Sequence, residues 1–542
     1  MGETADLVIA NARVYTVDVA RPWAAAVAIR GDRIAWVGDD PSAHIGPRTD
    51  VIDARGRLVL PGFIDSHIHV RPGSNPLAVH LNDATTLEEI RSRIARHAEA
   101  HPELEWIEGE GWNYTAIPGG RAPTADDLEG LTGGRPAFLF SYDYHTVWVN
   151  RLAMGRLGIG PGTTRVAFGS IVLDDDGEPT GFVKDFAVLG LSRDGQRALE
   201  EVVPSYSPEN RYRRLVDAVG MAARYGITTI VEPQNSLDDL ELFARARDDG
   251  ALKSRITAAL FYPHGTTPDD LDAFEEAKRT YDDDRFRVAP IKLYIDDVIE
   301  PRTAAMLEPY VGGGPDDRGD TFWDPAEFAE LIAELDRRGF QIFTHAIGDR
   351  GIRTALDAIE HAQRVNGPRD ARHQLVHVEC LSPQDIPRFR ELGVVPCMQP
   401  RHCAPDIVGE WRENVGPDRS RFAWAFRSLE EADAPLAFSS DWNVAEMDPL
   451  IGIYTALTRA SLNGSERWVP EETVDVETAI RAYTMGGAWA NFCEGDRGSI
   501  TPGKHADLVV LSKDLFALPP EAVKEARVEL TIVGGEPVHR AS

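Results

Sequence analysis

The stretch LVLPGFIDSHIH, residues 58–69, joins an apolar β-rich run to two histidines that lie two positions apart. In a strand, side chains at positions i and i+2 point to the same side, so His67 and His69 can present their imidazoles to one ion. Two solvated histidines at the end of a strand are the alternative, and the motif alone does not decide between them. What surrounds the stretch therefore matters.

Seven further apolar runs follow, and amphipathic helical patterns separate them. In one of these, Asp324 and Pro325 give the start of a helix and Gly339 its end. Strands that alternate with helices predict a parallel sheet in an α/β fold, and eight runs fit a closed (β/α)₈ TIM barrel. The eight runs span residues 58–67, 226–233, 255–263, 289–296, 340–345, 373–379, 393–399 and 434–441.

The first two runs are separated by far more chain than a βα connection needs. Residues 70–205 contain their own β-like run and Gly/Pro-rich turns, so we expect an inserted subdomain after the first barrel strand. The two ends of the chain both carry short β-rich runs with turn signals. We predict that residues 1–58 and 498–542 form one composite β-sandwich domain, and that residues 59–497 form the barrel with its insertion.

Composition excludes several classes of protein. The formal net charge of −30 argues against a binder of nucleic acid or of anionic membranes, because both need a basic surface. Four cysteines without a CxxC pair, together with the absence of a secretory pattern at the N-terminus, indicate a cytoplasmic protein. No window is apolar enough to predict a transmembrane helix.

Chemistry-bearing residues recur where the predicted strands end. Lys292 lies in the fourth run, His345 ends the fifth, His377 lies in the sixth and Asp441 ends the eighth. Barrel enzymes build their active sites from several strand ends at the carboxyl face. With His67 and His69, these residues predict a metal site there.

On longer segments the chain resembles the amidohydrolase superfamily, in particular its YtcJ-like branch, which includes N-substituted formamide deformylases. The resemblance runs along nearly the whole sequence. It is carried by PGFIDSHIH (61–69), GWNYTAIPGGRAPT (111–124), RPAFLFSYDYHTVWVN (135–150), GEPTGFVKD (177–185), IKLYIDDVIEPRTAAMLEPY (291–310), THAIGDRG (344–351), RHQLVHVECLSPQDIPRFRELGV (372–394), SSDWNVAEMDPLIGIYTALTRA (439–460) and GSITPGKHADLVVL (498–511).

The resemblance implies a barrel hydrolase with one or two divalent ions, usually zinc. By position the metal ligands would be His67, His69, His345, His377 and Lys292. The family often carboxylates a lysine at this place, which would let Lys292 bridge two Zn²⁺ ions. A structural lysine paired with Asp296 or Asp297 is the alternative.

The resemblance also assigns Asp441 as the general base and acid. It would accept a proton from the attacking water and later deliver it to the leaving amine. The alternative is a helix cap. His373 and His402 are interpreted as groups that orient the site.

Candidate substrate contacts are His145, Arg302, Trp112 and Trp442. Arg302 can clamp a carboxylate or carbonyl, and the tryptophans can wall an apolar pocket. An incidental loop histidine, an ion-pair arginine and core tryptophans are the alternatives. Departures from the branch, such as Asn113, Tyr144 and Asp185, lie in the predicted insertion and bear on substrate scope.

The leading hypothesis is a metal-dependent hydrolase that cleaves the C–N amide bond of a linear N-acyl or N-formyl amine, or of a carbamate-like small molecule. A deaminase or cyclic amidase on the same fold is the first alternative, and a non-enzymatic regulator is the second. The resemblance leaves a homo-oligomer open, since many relatives associate.

Overall fold

The computed structural model describes residues 4–73, 75–190 and 192–541. Its centre is a sheet of eight parallel strands that follow one another in chain order. Every one of the eight predicted runs contributes one strand. They are β1 (Phe63–Asp65), β2 (Ile227–Asn235), β3 (Arg255–Phe261), β4 (Phe286–Tyr294), β5 (Gln341–Ala346), β6 (Gln374–His377), β7 (Val395–Met398) and β8 (Ala437–Phe438).

The sheet closes between β1 and β8. The Ser66 N–H donates to the Phe438 carbonyl at 3.3 Å, and the Asp441 N–H donates to the His67 carbonyl at 2.8 Å. These bonds lie just beyond the two short strands, so closure and the carboxyl face of the barrel share the same residues. The predicted (β/α)₈ barrel is confirmed.

Helices cover the outside of the barrel. The helix predicted from Asp324 and Pro325 runs over Pro325–Arg337, and the Asp324 carboxylate accepts the N–H groups of Ala326 and Glu327. The remaining barrel helices are Pro208–Arg224, Leu240–Asp248, Pro268–Thr280, Asp349–Asn366, Ile386–Leu392, Gly409–Val415, Phe426–Glu431, Pro449–Thr458, Val476–Arg481 and Gly487–Ala490. Among the described residues, no helix is both long and apolar enough to cross a lipid bilayer.

Both ends of the chain join in two sheets that pack together. The six-stranded sheet contains, in spatial order, Glu536–Arg540, Val528–Val533, Leu508–Leu511, Leu58–Pro61, Arg13–Tyr15 and Trp23–Ala24. The four-stranded sheet contains Arg33–Gly38, Ala26–Arg30, Leu7–Ala10 and Asp50–Asp53.

Strand alternation explains how these sheets connect to the barrel. Val59 packs into the core between the two terminal sheets, whereas Leu58 and Leu60 pack into the barrel core. The strand Leu58–Pro61 thus uses both of its faces, and it continues through Gly62 into β1. It spans the predicted domain boundary at residue 58, and the domain limits given above remain a prediction.

A third sheet lies within the predicted insertion. Its seven strands, in spatial order, are Arg165–Val166, Gly169–Leu173, Pro179–Lys184, Val147–Val149, Ala137–Ser141, Ile107–Trp112 and Val79–His80. Helices Leu87–Ala100, Arg151–Arg156, Phe186–Leu189 and Arg193–Glu200 accompany it. Its two faces carry separate hydrophobic clusters, one around Trp112 and one around Phe138.

A buried ion pair ties the barrel to the terminal sheets. Arg255 on β3 donates to both oxygens of Asp507 at 2.7 and 3.0 Å, and each side chain is 3% exposed. Arg255→Met leaves the Asp507 carboxylate buried without its cation, so we expect a loss of about 3–5 kcal/mol in the free energy of unfolding. Urea denaturation measures it.

The matched control for that pair is Arg247→Met. Arg247 contacts Asp283 at 2.8 Å in a far more exposed pair, and such pairs contribute about 0–1 kcal/mol. Equal losses in the two variants would refute a structural role for the buried pair.

Candidate metal centre

The site lies where the barrel strands end. His67 and His69 follow β1, and Lys292 is near the end of β4. His345 is the penultimate residue of β5. His377 is the last residue of β6, and Asp441 follows β8. Parallel strands bring their carboxyl ends to one face, so residues far apart in sequence converge there.

The four histidines stand close together. The ring centres of His67 and His69 are 5.1 Å apart, those of His67 and His377 are 5.3 Å apart, and those of His345 and His377 are 4.5 Å apart. Asp441 lies among them, with its Oδ1 3.2 Å from His67 Nε2 and 3.1 Å from His69 Nε2. Ligand atoms of His67, His377 and Asp441 all lie within 4.8 Å of one another.

Lys292 lies in the barrel interior with a relative exposure of 0%. In the described part of the chain its Nζ finds no hydrogen-bond acceptor. It lies 4.7 Å from the centre of the Tyr294 ring. Burial lowers the pKa of Lys292 to about 7, against the opposing field of Asp441.

The structure does not support the pairing of Lys292 with Asp296 or Asp297. The Asp296 carboxylate accepts three backbone N–H groups from loops that follow β4 and β5. Asp297 contacts His145 and accepts the Thr303 hydroxyl at 2.9 Å. Both carboxylates are thus engaged elsewhere, and the lysine side chain remains available to the histidine cluster.

Electrostatics favour neutral imidazoles around an ionised carboxylate. Burial, and secondarily Lys292, lowers the pKa of His67 to about 3. Burial also holds the pKa values of His345 and His377 well below their usual range. Burial alone would raise the pKa of Asp441, but the neighbouring His67 and His69 outweigh it and hold that pKa well below its ordinary value.

These protonation states fit a divalent metal ion. Neutral imidazole nitrogens and carboxylate oxygens are the ligands such ions take. Several buried donor atoms of the cluster have no hydrogen-bond partner among the described residues, which is expected of atoms that hold an ion. These atoms are His67 Nδ1, His345 Nδ1 and Lys292 Nζ.

Backbone geometry holds two of these residues in strained positions. His377 has a φ of 78° and Asp441 a φ of 55°, in the left-handed region that non-glycine residues rarely occupy. Such strain concentrates at functional sites, where the surrounding structure enforces it. Asp441 does not cap the helix Pro449–Thr458, because Asp448 occupies that position.

Asp65 is a positioning residue that the sequence reasoning missed. Its Oδ1 accepts the N–H of His67 at 3.2 Å and the N–H of Ser440 at 3.1 Å. Asp65 therefore holds the end of β1, which carries His67 and His69, against the segment after β8, which carries Asp441. The quoted motif contained this residue, but only the closed barrel reveals its second partner.

Glu379 was missed as well, and His402 is closer to the centre than an orienting role requires. Ligand atoms of His377, Glu379 and His402 lie within 4.8 Å of one another, and all three residues are buried. Glu379 accepts the indole N–H of Trp411 at 3.0 Å. The spacing of His377 and Glu379, two residues apart, was the available signal. His373, in contrast, lies at the start of β6 and pairs with Asp336 at 3.1 Å, away from the site.

A cavity opens above the histidine cluster, and His145 lines it. Its imidazole contacts Asp297, and its ring centre lies 6.0 Å from that of His345. The Asp297 charge overcomes burial and raises the pKa of His145 to about 9. Of the four predicted substrate contacts, His145 is the one whose side chain lines this cavity within the described structure.

The other three predicted substrate contacts lie elsewhere. The Arg302 guanidinium donates to Asp317 at 3.0 Å, to Asn414 at 2.9 Å and to a backbone carbonyl, in a loop network outside the cavity. Trp112 is wholly buried in the insertion and donates its indole N–H to the Leu139 carbonyl. Trp442 packs against the barrel core and accepts the His69 N–H with its backbone carbonyl.

The fold and the site are those expected of a barrel hydrolase that uses a metal ion, and comparison with known proteins gives the family. A sequence profile described as the amidohydrolase family matches residues 50–539. The chain belongs to that family. The resemblance drawn from its motifs is confirmed.

Curated relatives span nearly the whole chain. Protein LONG AFTER FAR-RED 3 of Arabidopsis thaliana is 30% identical and covers 99% of this chain and 92% of its own length. YtcJ of Bacillus subtilis is 28% identical with 92% coverage of both. The N-substituted formamide deformylase of Arthrobacter pascens is 27% identical and covers 99% of this chain and 98% of its own length.

A solved structure shares the fold. An uncharacterized metal-dependent hydrolase from Pyrococcus horikoshii superposes with a TM-score of 0.75 at 21% identity, over 95% of this chain and 99% of its own.

Proposed function

We propose that this chain hydrolyses the C–N amide bond of a linear N-acyl or N-formyl amine, or of a carbamate-like substrate. One observation carries the proposal: an ionised Asp441 sits at the floor of a cavity among the buried, neutral His67, His345 and His377, with His69 beside it. The formamide deformylase among the relatives supports the same bond type.

The position of each residue in the cluster suggests its role. His67, His69, His345 and His377 would hold divalent metal ions, expected to be two Zn²⁺. Lys292 would bridge them after its Nζ adds to CO₂, which forms a carbamate and releases one proton. A metal ion held by these residues would supply a Lewis acid for the substrate carbonyl and would lower the pKa of water.

Asp441 handles the proton. Its carboxylate accepts a proton from the attacking water and passes it to the departing nitrogen, which leaves as a neutral amine. His145 lines the same cavity, and its contact with Asp297 fixes its orientation towards a substrate carbonyl. Asp65 keeps the two sides of the site in register through its bonds to His67 and Ser440.

Metal removal tests the proposal. We expect the protein to hydrolyse members of a panel of N-formyl and N-acetyl amines, to lose this activity with a chelator, and to regain it with Zn²⁺. Since the ions bind the folded state, chelation should also lower Tm; a ligand at 1,000 times its Kd stabilises by about 4 kcal/mol.

The panel also includes adenine and a cyclic imide, so that it separates the alternatives. Turnover of these alone would replace the proposal with a deaminase or cyclic amidase. Activity that survives full metal depletion would contradict a metal-dependent mechanism.

A further inference from the structure

Three arginines line the same cavity as the histidine cluster. Arg71 follows His69 by two residues, and Arg211 and Arg214 face the cavity from the helix Pro208–Arg224. In a chain with a net charge of −30, a concentration of guanidinium groups in one cavity needs a local reason. We refer to these three residues as the arginine wall.

Two members of the arginine wall share one carboxylate. Asp239 is fully buried; it contacts Arg211 directly, and its Oδ1 lies 3.6 Å from Arg71 Nη1. Arg71 also donates from Nε to the Gln234 carbonyl at 3.2 Å. Its Nη2 is buried and has no acceptor within the described ranges.

Arg214 forms no contact ion pair among the residues that the structure describes, although the charges of Glu108 and Glu110 act to raise its pKa against burial. Its Nε is buried and lacks an acceptor, and its nearest aromatic neighbour is Tyr206, at 5.9 Å from the ring centre. Burial lowers the pKa of Arg214. A buried guanidinium N–H without an acceptor is costly, so such groups are normally hydrogen-bonded or paired with an anion.

The two cavity carboxylates whose charges act on Arg214 are bonded to other donors, and the remaining acidic residues of the lining are Asp143, Glu300, Glu379 and Asp441. Glu110 lies 3.0 Å from His80 with one oxygen and accepts the Tyr144 hydroxyl at 3.1 Å with the other. Glu108 accepts the hydroxyl of Ser205. An anion from outside the chain would supply the direct ion pair that Arg214 does not form with either carboxylate.

We propose that the substrate carries a carboxylate, and that Arg214 binds this group together with Arg71. The planar guanidinium fork matches the two oxygens of a carboxylate. The substrate class then narrows to N-acyl or N-formyl amines that carry an acid group, such as N-formyl amino acids. This inference rests on the proposed function, and it moves the anion-binding role from Arg302 to the arginine wall.

The global charge does not oppose this assignment. At physiological ionic strength, exposed charges are screened beyond about 8 Å. Arg214 and Arg71 face a cavity in which screening by solvent is weak, so nearby groups dominate the potential that a bound substrate meets.

A matched pair of substrates tests the inference. The wild-type protein should show a higher kcat/KM for an N-formyl amino acid than for its neutral carboxamide. Arg214→Gln should lower kcat/KM for the acid by about 10- to 100-fold, the usual effect of losing a charged hydrogen bond, and leave the carboxamide within about threefold. Arg213→Gln removes the neighbouring exposed arginine, which does not line this cavity, and serves as the control.

Equilibrium binding provides the second readout. Calorimetry with the free amino acid product should give weaker binding to Arg214→Gln than to the wild type, at unchanged metal content. Equal treatment of acid and carboxamide, or an equal loss for both in Arg214→Gln, would overturn the inference. Preference for a phosphonate analogue over the carboxylate would overturn it too. If neither amide is cleaved but the amino acid still binds through Arg214, the proposed function fails and the anion site stands.

Discussion

Asp441→Asn is expected to lower kcat/KM for amide hydrolysis by about 10³- to 10⁴-fold, at the upper end for the loss of a general acid–base group. The amide keeps the size of the side chain but cannot accept a proton from water. It also removes the anionic oxygen that lies 3.1–3.2 Å from His67 and His69. Steady-state kinetics with metal analysis by mass spectrometry separates lost proton transfer from lost metal.

Asp418→Asn is the control, because Asp418 is an exposed aspartate whose side chain does not cap the short helix that follows it. It should match the wild type in rate and in metal content. A fully loaded Asp441→Asn enzyme within tenfold of the wild-type rate would rule Asp441 out as the proton carrier.

Lys292→Met is expected to reduce the bound metal from two ions to one and to lower kcat/KM on the order of 10²- to 10³-fold, because a bridging ligand and one Lewis acid are lost. Stability should respond differently. Methionine replaces a fully buried ammonium that has no acceptor in the described structure, so the apo protein should unfold at an equal or higher urea concentration.

The carbamate itself can be observed. Wild-type protein equilibrated with ¹³C-bicarbonate should give a carbamate carbon resonance that is absent from Lys292→Met and retained in Lys253→Met, which alters an exposed lysine. Two ions per chain in Lys292→Met, with no such resonance in the wild type, would show that Lys292 does not bridge.

The histidine cluster could be predicted from sequence because strand ends in a barrel are forced to meet. His345 and His377 are separated by a whole helix, yet neighbouring parallel strands place their ends side by side. The same logic located Lys292 and Asp441. The hydrophobic periodicity and the position of each residue along its strand were enough for this prediction. The strands of the barrel, and not its loops, determine where these side chains point.

The substrate contacts could not be predicted in this way. Arg302 lies in a loop whose backbone turns at a φ of 62°, and this carries its guanidinium towards Asp317. Arg214 lies on the helix Pro208–Arg224, whose amphipathic sequence pattern does not distinguish it from the other barrel helices. Only the cavity formed with the insertion reveals that this face of the helix meets the site. Trp112 was predicted to contact substrate, but its side chain packs into a hydrophobic cluster inside the insertion.

The strand Leu58–Pro61 carries a further consequence, for synthesis. It leads directly into the two histidines, and it is paired on one side with residues 13–15 and on the other with residues 508–511. A nascent chain that has emerged only as far as β8 already contains every predicted ligand, but the second of these partner strands has not yet been translated. Since residues 508–511 are made after every predicted ligand, the segment that leads to the first ligands is held on both edges only after all of these ligands have been synthesised. Stable loading of metal is thus expected to follow the synthesis of residues 508–511.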